Sequence, residues 1–181
     1  MKDFAHALEI VLHIEGGYVN DPDDRGGATN YGVTQGTYDT WRKAQGLDEA
    51  PVSGISSEEV SEIYKQYWDA VNADTLAWPV SLVMFDMAVN HGPLSAKKIL
   101  QRTLQVTPDG FVGPVTRDAM QFARPDSLAN EILWHRVDKY RRISKGNQQK
   151  FLRGWLWRVA HLRQEAGLEG EIEQAYTAEQ D

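Results

Sequence analysis

Residues 15–36 read EGGYVNDPDDRGGATNYGVTQG and form the one long stretch of the chain without helical periodicity. Glycine, asparagine, aspartate and proline recur from residue 18 onward, and these residues favour turns because they cannot continue a regular helix. We therefore expect an irregular loop or a small β-excursion over residues 18–36. Elsewhere in the 181-residue chain, the segments with a periodic apolar pattern all have the periodicity of a helix.

A helix precedes this stretch. Residues 4–15, FAHALEIVLHIE, place apolar side chains at helical spacing. Gly16 and Gly17 end the helix, since glycine readily adopts the left-handed conformation that closes one. Glu15 is therefore expected at the helix C-terminus, where a carboxyl group faces the negative end of the helix dipole. That position favours the protonated form that an acid catalyst needs.

The remaining pattern predicts seven more helices. Ser56 and Glu59 form a capping box at the start of one of them, and Pro114 suits the first turn of another. The predicted helices cover about 37–45, 57–68, 79–91, 95–105, 114–123, 126–145 and 148–166. Eight or so helices in a chain of this length predict a mainly α fold in one globular unit.

The composition excludes several classes of function. The net charge is −7, with 26 acidic and 19 basic residues, which argues against binding nucleic acid through its phosphates. The chain has no cysteine, so it has no disulfide and no thiolate metal site. His6 and His13 share a predicted helix with no further ligand, which is a poor zinc site. We predict no metal and no nucleic-acid partner.

The sequence has no apolar run near the roughly 20 residues that span a bilayer. The first residues carry charged and polar side chains inside their apolar pattern, unlike a secretory signal. We expect neither a signal peptide nor stable membrane insertion, and we expect synthesis in the cytoplasm.

Hydrolysis of a glycosidic bond needs a carboxylic acid to protonate the leaving oxygen, and commonly a second carboxylate or a positioned water. Glu15 supplies the first group, and Asp21, Asp23 and Asp24 follow on the loop. Six tryptophans and seven tyrosines suit a groove that stacks on sugar rings. Spacing alone also fits Glu15 as an ordinary helix-end glutamate, and for the aspartates it favours a turn-forming role.

The string EGGYVNDPDDRGGATNYGVT, Glu15–Thr34, closely resembles the signature of glycoside hydrolase family 108. This family comprises phage endolysins and bacterial N-acetylmuramidases, some labelled secretion activators. Four later blocks are similar to this family in the same order: YKQYWD at 64–69, DMAVNHGP at 86–93, DGFVGPVT at 109–116 and FLRGWLWRV at 151–159. The resemblance implies a lysozyme-like catalytic region over residues 1–92. It also implies a helical peptidoglycan-binding region over residues 93–181, packed on the first as one compact unit.

By this resemblance Glu15 is the catalytic glutamate. The loop is also similar to the Glu, Asp, Thr arrangement of phage-type lysozymes, which implies Asp24 as a water-activating base or charge stabiliser and Thr29 as the residue that orients the water. The loop differs in length by about one residue, so Asp23 is the alternative to Asp24. The candidate substrate-binding residues flank these positions: Tyr18, Asn30, Tyr31, Asn90 and His91.

The implied reaction cleaves the β-1,4 bond between N-acetylmuramic acid and N-acetylglucosamine and uses no cofactor. If Asp24 acts through a water, the product is the inverted anomer, whereas a carboxylate that attacks directly as a nucleophile would retain the configuration; the separation of the two carboxyl groups decides between them. One alternative is a non-catalytic peptidoglycan-binding or secretion-accessory protein, and another is a lytic transglycosylase or glucosaminidase. The expected partners are peptidoglycan glycan strands and, for a phage or prophage endolysin, a holin that lets the monomeric enzyme reach the cell wall.

Overall fold

The computed structural model describes residues 3–16, 18 and 28–168. This part of the chain holds eight α-helices and one two-stranded sheet. The helices are α1 Phe4–Glu15, α2 Gln35–Ala44, α3 Ser57–Ala70, α4 Val80–His91, α5 Pro93–Thr103, α6 Pro114–Gln121, α7 Pro125–Ile143 and α8 Leu152–Ala166. The predicted mainly α, lysozyme-like fold is confirmed.

The chain divides into two compact units. The first is Phe4–Gln66, and the second contains the chain from Tyr67 onward. The predicted division into functional regions at residues 92 and 93 stays a prediction. None of the eight helices in the described part of the chain combines the length and hydropathy that spanning a bilayer requires.

A β-hairpin interrupts the helices of the first unit. Strand β1, Thr29–Asn30, pairs antiparallel with β2, Val33–Thr34, so that Asn30 faces Val33. Tyr31 and Gly32 form the turn with φ of 50° and 74°. Two consecutive positive φ angles are what a type I′ hairpin turn requires. The predicted small β-excursion after the first helix is therefore confirmed.

The helices of the first unit are amphipathic and bury one face each. The buried hydrophobic residues that they and the hairpin contribute are Ala7, Ile10, Val11, Val33, Tyr38, Trp41, Val60, Ile63 and Tyr64. The predicted capping box is confirmed: the Ser56 N–H donates to Glu59 Oε2 at 3.0 Å, and the Glu59 N–H donates to Ser56 Oγ at 3.2 Å. This reciprocal pair satisfies two backbone donors at the start of α3.

The second unit is built around α4, which packs against α5, α7 and α8. Every residue of α4 from Val80 to Ala88 is buried, including Asp86. The Asp86 carboxylate pairs with the guanidinium groups of Arg136 on α7 and Arg158 on α8. Arg136 and Arg158 hold the pKa of Asp86 below its usual range against the opposing effect of burial. A buried charge requires such partners, and here they join three helices.

Most helix boundaries lie within two residues of the sequence prediction, and two of the differences have a clear physical reason. Helix α8 begins at Leu152, because residues Gly146–Phe151 form a 3₁₀ turn. Gly146 has a φ of 57°, and the turn that it opens buries no residue, so nothing anchors this segment as a longer helix. Helix α5 begins at Pro93, two residues earlier than predicted, because proline is well suited to the first turn.

Candidate active site

Glu15 is the last residue of α1, as predicted. The following residue, Gly16, has a φ of 81°, and its N–H donates to the Leu12 carbonyl at 3.2 Å. The left-handed conformation of Gly16 ends the helix immediately after Glu15. The Glu15 side chain is half-buried. Glu15 is thus a half-buried residue at the end of α1.

The hairpin turn lies against this side chain. A β-carbon built on Gly32 would lie 2.9 Å from Glu15 Cγ and 3.0 Å from Glu15 Cδ. It would also lie 2.6 Å from the hydroxyl oxygen of Tyr64. Only glycine fits here, both because of these contacts and because its φ of 74° disfavours other residues. The hairpin and the end of α1 therefore meet at Gly32 and Glu15.

Tyr64 on α3 holds the turn in place. Its hydroxyl donates a hydrogen bond of 2.8 Å to the carbonyl oxygen of Tyr31. The ring of Tyr64 is buried in the first unit. Neither Gly32 nor Tyr64 was predicted as a site residue from the sequence. The signal that was available is Gly32 itself, because glycine is preferred at the positive-φ positions of a two-residue hairpin turn.

Asn30 is buried, with 7% of its surface exposed. Its amide nitrogen lies 3.3 Å from the Val52 carbonyl oxygen and 3.4 Å from that of Ser53. These bonds tie β1 to the 3₁₀ turn Val52–Gly54. The neighbouring Thr29 is half-buried. Thr29 and Asn30 therefore belong to the hairpin that meets Glu15, and their roles toward water and substrate stay predictions.

Two of the predicted aromatic residues of this site are exposed. Tyr18 has 50% of its surface exposed and Tyr31 has 41%. Aromatic rings at that exposure can stack on a sugar face while their hydroxyl groups bond to water or to the ligand. Asp24, its alternative Asp23, and Asp21 lie outside the described residues.

Asn90 and His91 belong to the second unit, at the end of α4. The Asn90 amide nitrogen lies 3.3 Å from the Asp86 carbonyl oxygen. The His91 ring lies 5.2 Å from the ring of Tyr140, measured between centroids. Burial, together with the charges of Arg136 and Lys139, lowers the pKa of His91 to about 3. His91 is therefore neutral at neutral pH, and its contact with substrate stays a prediction.

No group of three or more histidine, aspartate or glutamate side chains within the described residues is arranged to hold a metal ion. The expectation that the reaction uses no metal and no cofactor stays a prediction.

The chain as a whole is similar to known proteins. A structure entitled "Structure of Brucella abortus SagA" is similar to this chain, with a TM-score of 0.79 and 34% sequence identity. The similarity covers 90% of this chain and 92% of the SagA chain. The family model Glycosyl hydrolase 108 matches residues 8–92, which contain Glu15 and the whole hairpin. The chain belongs to glycoside hydrolase family 108.

A second family model, Predicted Peptidoglycan domain, matches residues 95–160 of this family 108 protein. No curated protein matches the chain. The two family models together show a glycoside hydrolase whose function concerns peptidoglycan. They confirm the predicted family and the predicted peptidoglycan partner.

Proposed function

We propose that this protein hydrolyses the β-1,4 bond between N-acetylmuramic acid and N-acetylglucosamine in peptidoglycan, with Glu15 as the general acid. The observation that carries the proposal is the packing of the Glu15 side chain against Gly32, whose turn is bonded to Tyr64. A general acid must be held at a fixed point beside the scissile bond, since small displacements reduce the rate strongly. The half-buried helix end provides such a point.

In the proposed reaction the Glu15 carboxylic acid gives its proton to the glycosidic oxygen while the bond from that oxygen to the anomeric carbon breaks. Positive charge develops on the sugar ring, and a water molecule attacks the anomeric carbon. That water loses a proton to a base, and the Glu15 carboxylate is later reprotonated from solvent. We assign Asp24 as the base, with Asp23 as the alternative, and Thr29 as the residue that orients the water.

This assignment implies inversion at the anomeric carbon, because the water attacks from the face opposite the leaving oxygen. Proton NMR of the first products distinguishes the two anomers before they equilibrate. The exposed rings of Tyr18 and Tyr31 are proposed to contact the sugars. Asn30, Asn90 and His91 complete the proposed set of substrate-binding residues.

Clearing of purified peptidoglycan tests the general acid. We expect the wild type to clear the suspension and Glu15→Gln to lose at least about a hundredfold of the rate, because glutamine cannot donate the proton. Glu9→Gln is the matched control, since Glu9 is an exposed glutamate on the same helix. Equal clearing by wild type and Glu15→Gln contradicts the assignment. An absence of clearing by both favours a peptidoglycan-binding or secretion-accessory protein instead.

Mass spectrometry of the released fragments tests the bond. A muramidase leaves reducing N-acetylmuramic acid, a glucosaminidase leaves reducing N-acetylglucosamine, and a lytic transglycosylase leaves an anhydro end. We expect the first product. Either of the other two products would still show that the protein is a catalyst, but it would contradict the proposed bond specificity.

For the cellular role we propose a phage or prophage endolysin. It acts as a monomer on the cell wall, which it reaches with the help of a holin. Expression of the protein with and without a holin in bacterial cells tests this role. Lysis that requires the holin supports it. Export and wall cleavage without lysis instead indicate a secretion role.

A further inference from the structure

A cavity of about 270 Å³ lies between α5 and α7 in the second unit. Its polar lining comes from Ser95 and Arg102 on α5 and from His135, Lys139 and Arg142 on α7. Ile99 and Ile143 supply its apolar surface. The cavity is open to solvent and large enough for one amino-acid side chain with its charged end.

Three cations line this cavity, and no carboxylate is among its lining residues. Lys139 Nζ lies 3.0 Å from Ser95 Oγ, which uses one of its three N–H donors. The Arg142 Nε donates to the Asp138 carbonyl at 3.2 Å, so both terminal nitrogens of its guanidinium remain available. The Arg102 side chain has no hydrogen-bond partner within the described residues.

The cations also repel one another. Burial and the charges of Arg136, Arg102 and Arg142 lower the pKa of Lys139, and no acidic group among the described residues offsets them. Concentrated positive charge is unexpected in a chain whose net charge is −7. A bound anion would relieve this repulsion and occupy the remaining N–H donors.

The position of the cavity indicates which anion it binds. All of its lining residues lie within residues 95–160, the part that matches the peptidoglycan domain. The N-acetylated sugars of the glycan backbone carry no charge, because the lactyl carboxyl group of muramic acid is linked to the peptide. The fixed negative charges of peptidoglycan itself are the carboxylates of its stem peptides. A cationic cavity is therefore suited to the peptide and not to the sugars.

We propose that the cavity between α5 and α7 binds a stem-peptide carboxylate of peptidoglycan through Arg102, Lys139 and Arg142. The proposal rests on the proposed function in so far as peptidoglycan is the substrate. The guanidinium groups bind the two carboxylate oxygens, Lys139 adds a point charge, and the isoleucines contact the methylene groups next to the carboxylate. The site thus binds the peptide branch of the same polymer whose glycan is the proposed substrate of Glu15.

Titration of the full chain with a free stem tetrapeptide tests this site by NMR or calorimetry. The peptide carries no glycosidic bond, so the result is independent of whether Glu15 catalyses cleavage. We expect the free-acid tetrapeptide to bind at least about tenfold more tightly than the same peptide with all carboxyl groups amidated. Combining Arg102→Gln with Lys139→Gln should remove this difference. Equal binding of the two peptides overturns the proposal.

Two further double variants distinguish the effect of the charges in the cavity from a general effect of substitution on folding. Lys150→Gln with Arg153→Gln removes the same two charges from exposed positions of the second unit outside the cavity, and it should bind like the wild type. Arg102→Lys with Lys139→Arg preserves both charges and should retain most of the affinity. Loss of binding in the Lys150 and Arg153 variant overturns the proposal. Binding of inorganic phosphate without binding of the free-acid peptide also overturns it, in favour of a phosphate-bearing ligand.

Discussion

Gly32 lies so close to Glu15 that a β-carbon on it would lie 2.9 Å from Glu15 Cγ. The hairpin turn and the proposed acid are therefore in direct contact, and the turn limits where the carboxyl group can lie. Tyr64 also holds this turn, through the hydrogen bond from its hydroxyl to the Tyr31 carbonyl. Both contacts lie within the first unit, and each can be changed by its own substitution.

Gly32→Ala is expected to displace the Glu15 carboxyl group. The added methyl group meets Glu15 and the Tyr64 hydroxyl at distances below ordinary van der Waals contact. A displacement of about 1 Å at a catalytic group costs about a hundredfold in rate, so we expect peptidoglycan cleavage to fall by that order. Positive φ adds about 1–2 kcal/mol of lost folding stability. Turbidity assays and urea denaturation measure the two effects.

Gly46→Ala is the matched control for this prediction. Gly46 has a φ of 70°, close to that of Gly32, but a β-carbon there meets nothing within 4 Å. We expect a similar loss of stability from the backbone conformation and an unchanged rate of cleavage. Equal rates for Gly32→Ala and Gly46→Ala would mean that the contact with Glu15 has no catalytic consequence.

Tyr64→Phe removes the hydroxyl that bonds to the Tyr31 carbonyl and keeps the buried ring. The free energy of unfolding should fall by about 1 kcal/mol for the lost hydrogen bond. Because the turn is then less firmly held beside Glu15, we expect cleavage to fall by about tenfold. Tyr38→Phe is the matched control, since it also removes a hydrogen-bonded hydroxyl from the first unit. The Tyr38 hydroxyl donates to Glu59 Oε2 at 2.7 Å. A variant Tyr64→Phe with wild-type cleavage contradicts the role of this bond.

Local patterns predicted the helices and the place of the hairpin, because periodicity, caps and breakers act over a few residues. Glu15 could be placed at a helix end for the same reason. The contact of Tyr64 with Tyr31 could not be predicted, because it joins residues 33 apart whose approach depends on packing. The pairing of Asp86 with Arg136 and Arg158 spans 50 and 72 residues. Such pairs depend on which helices become neighbours, and periodicity does not contain that information.

His91 is expected to make stability depend on pH. Its pKa is lowered to about 3 in the folded protein from an ordinary value of 6.5. Between these values the unfolded chain binds a proton that the folded chain does not, so stability falls as the pH falls from about 6.5 toward 3. His91→Gln should make this decline shallower in urea denaturation measured between pH 7 and pH 4.

The protonation state of His91 can also be measured directly by NMR. We expect the carbon-bound ring protons of His91 to keep their NMR chemical shifts between pH 8 and pH 5, because the imidazole stays neutral. A titration with a midpoint near 6.5 would show that the ring is open to solvent and would contradict its half-buried position beside Tyr140.

Asp86→Asn is expected to destabilise the second unit by about 3–5 kcal/mol, because two buried guanidinium groups lose their counter-charge. The pKa of Asp86 is lowered in the folded protein, so its stabilising effect is complete above its ordinary value of 3.8 and is lost as the pH falls through the lower folded value. The stability gap between wild type and variant should therefore persist from pH 7 to about pH 4 and narrow in stronger acid. Asp118→Asn, at an exposed position of α6, should change stability by less than about 0.5 kcal/mol. An equally small loss of stability for Asp86→Asn would show that the two arginines find other partners. The Asp86 carboxylate would then not hold α4, α7 and α8 together.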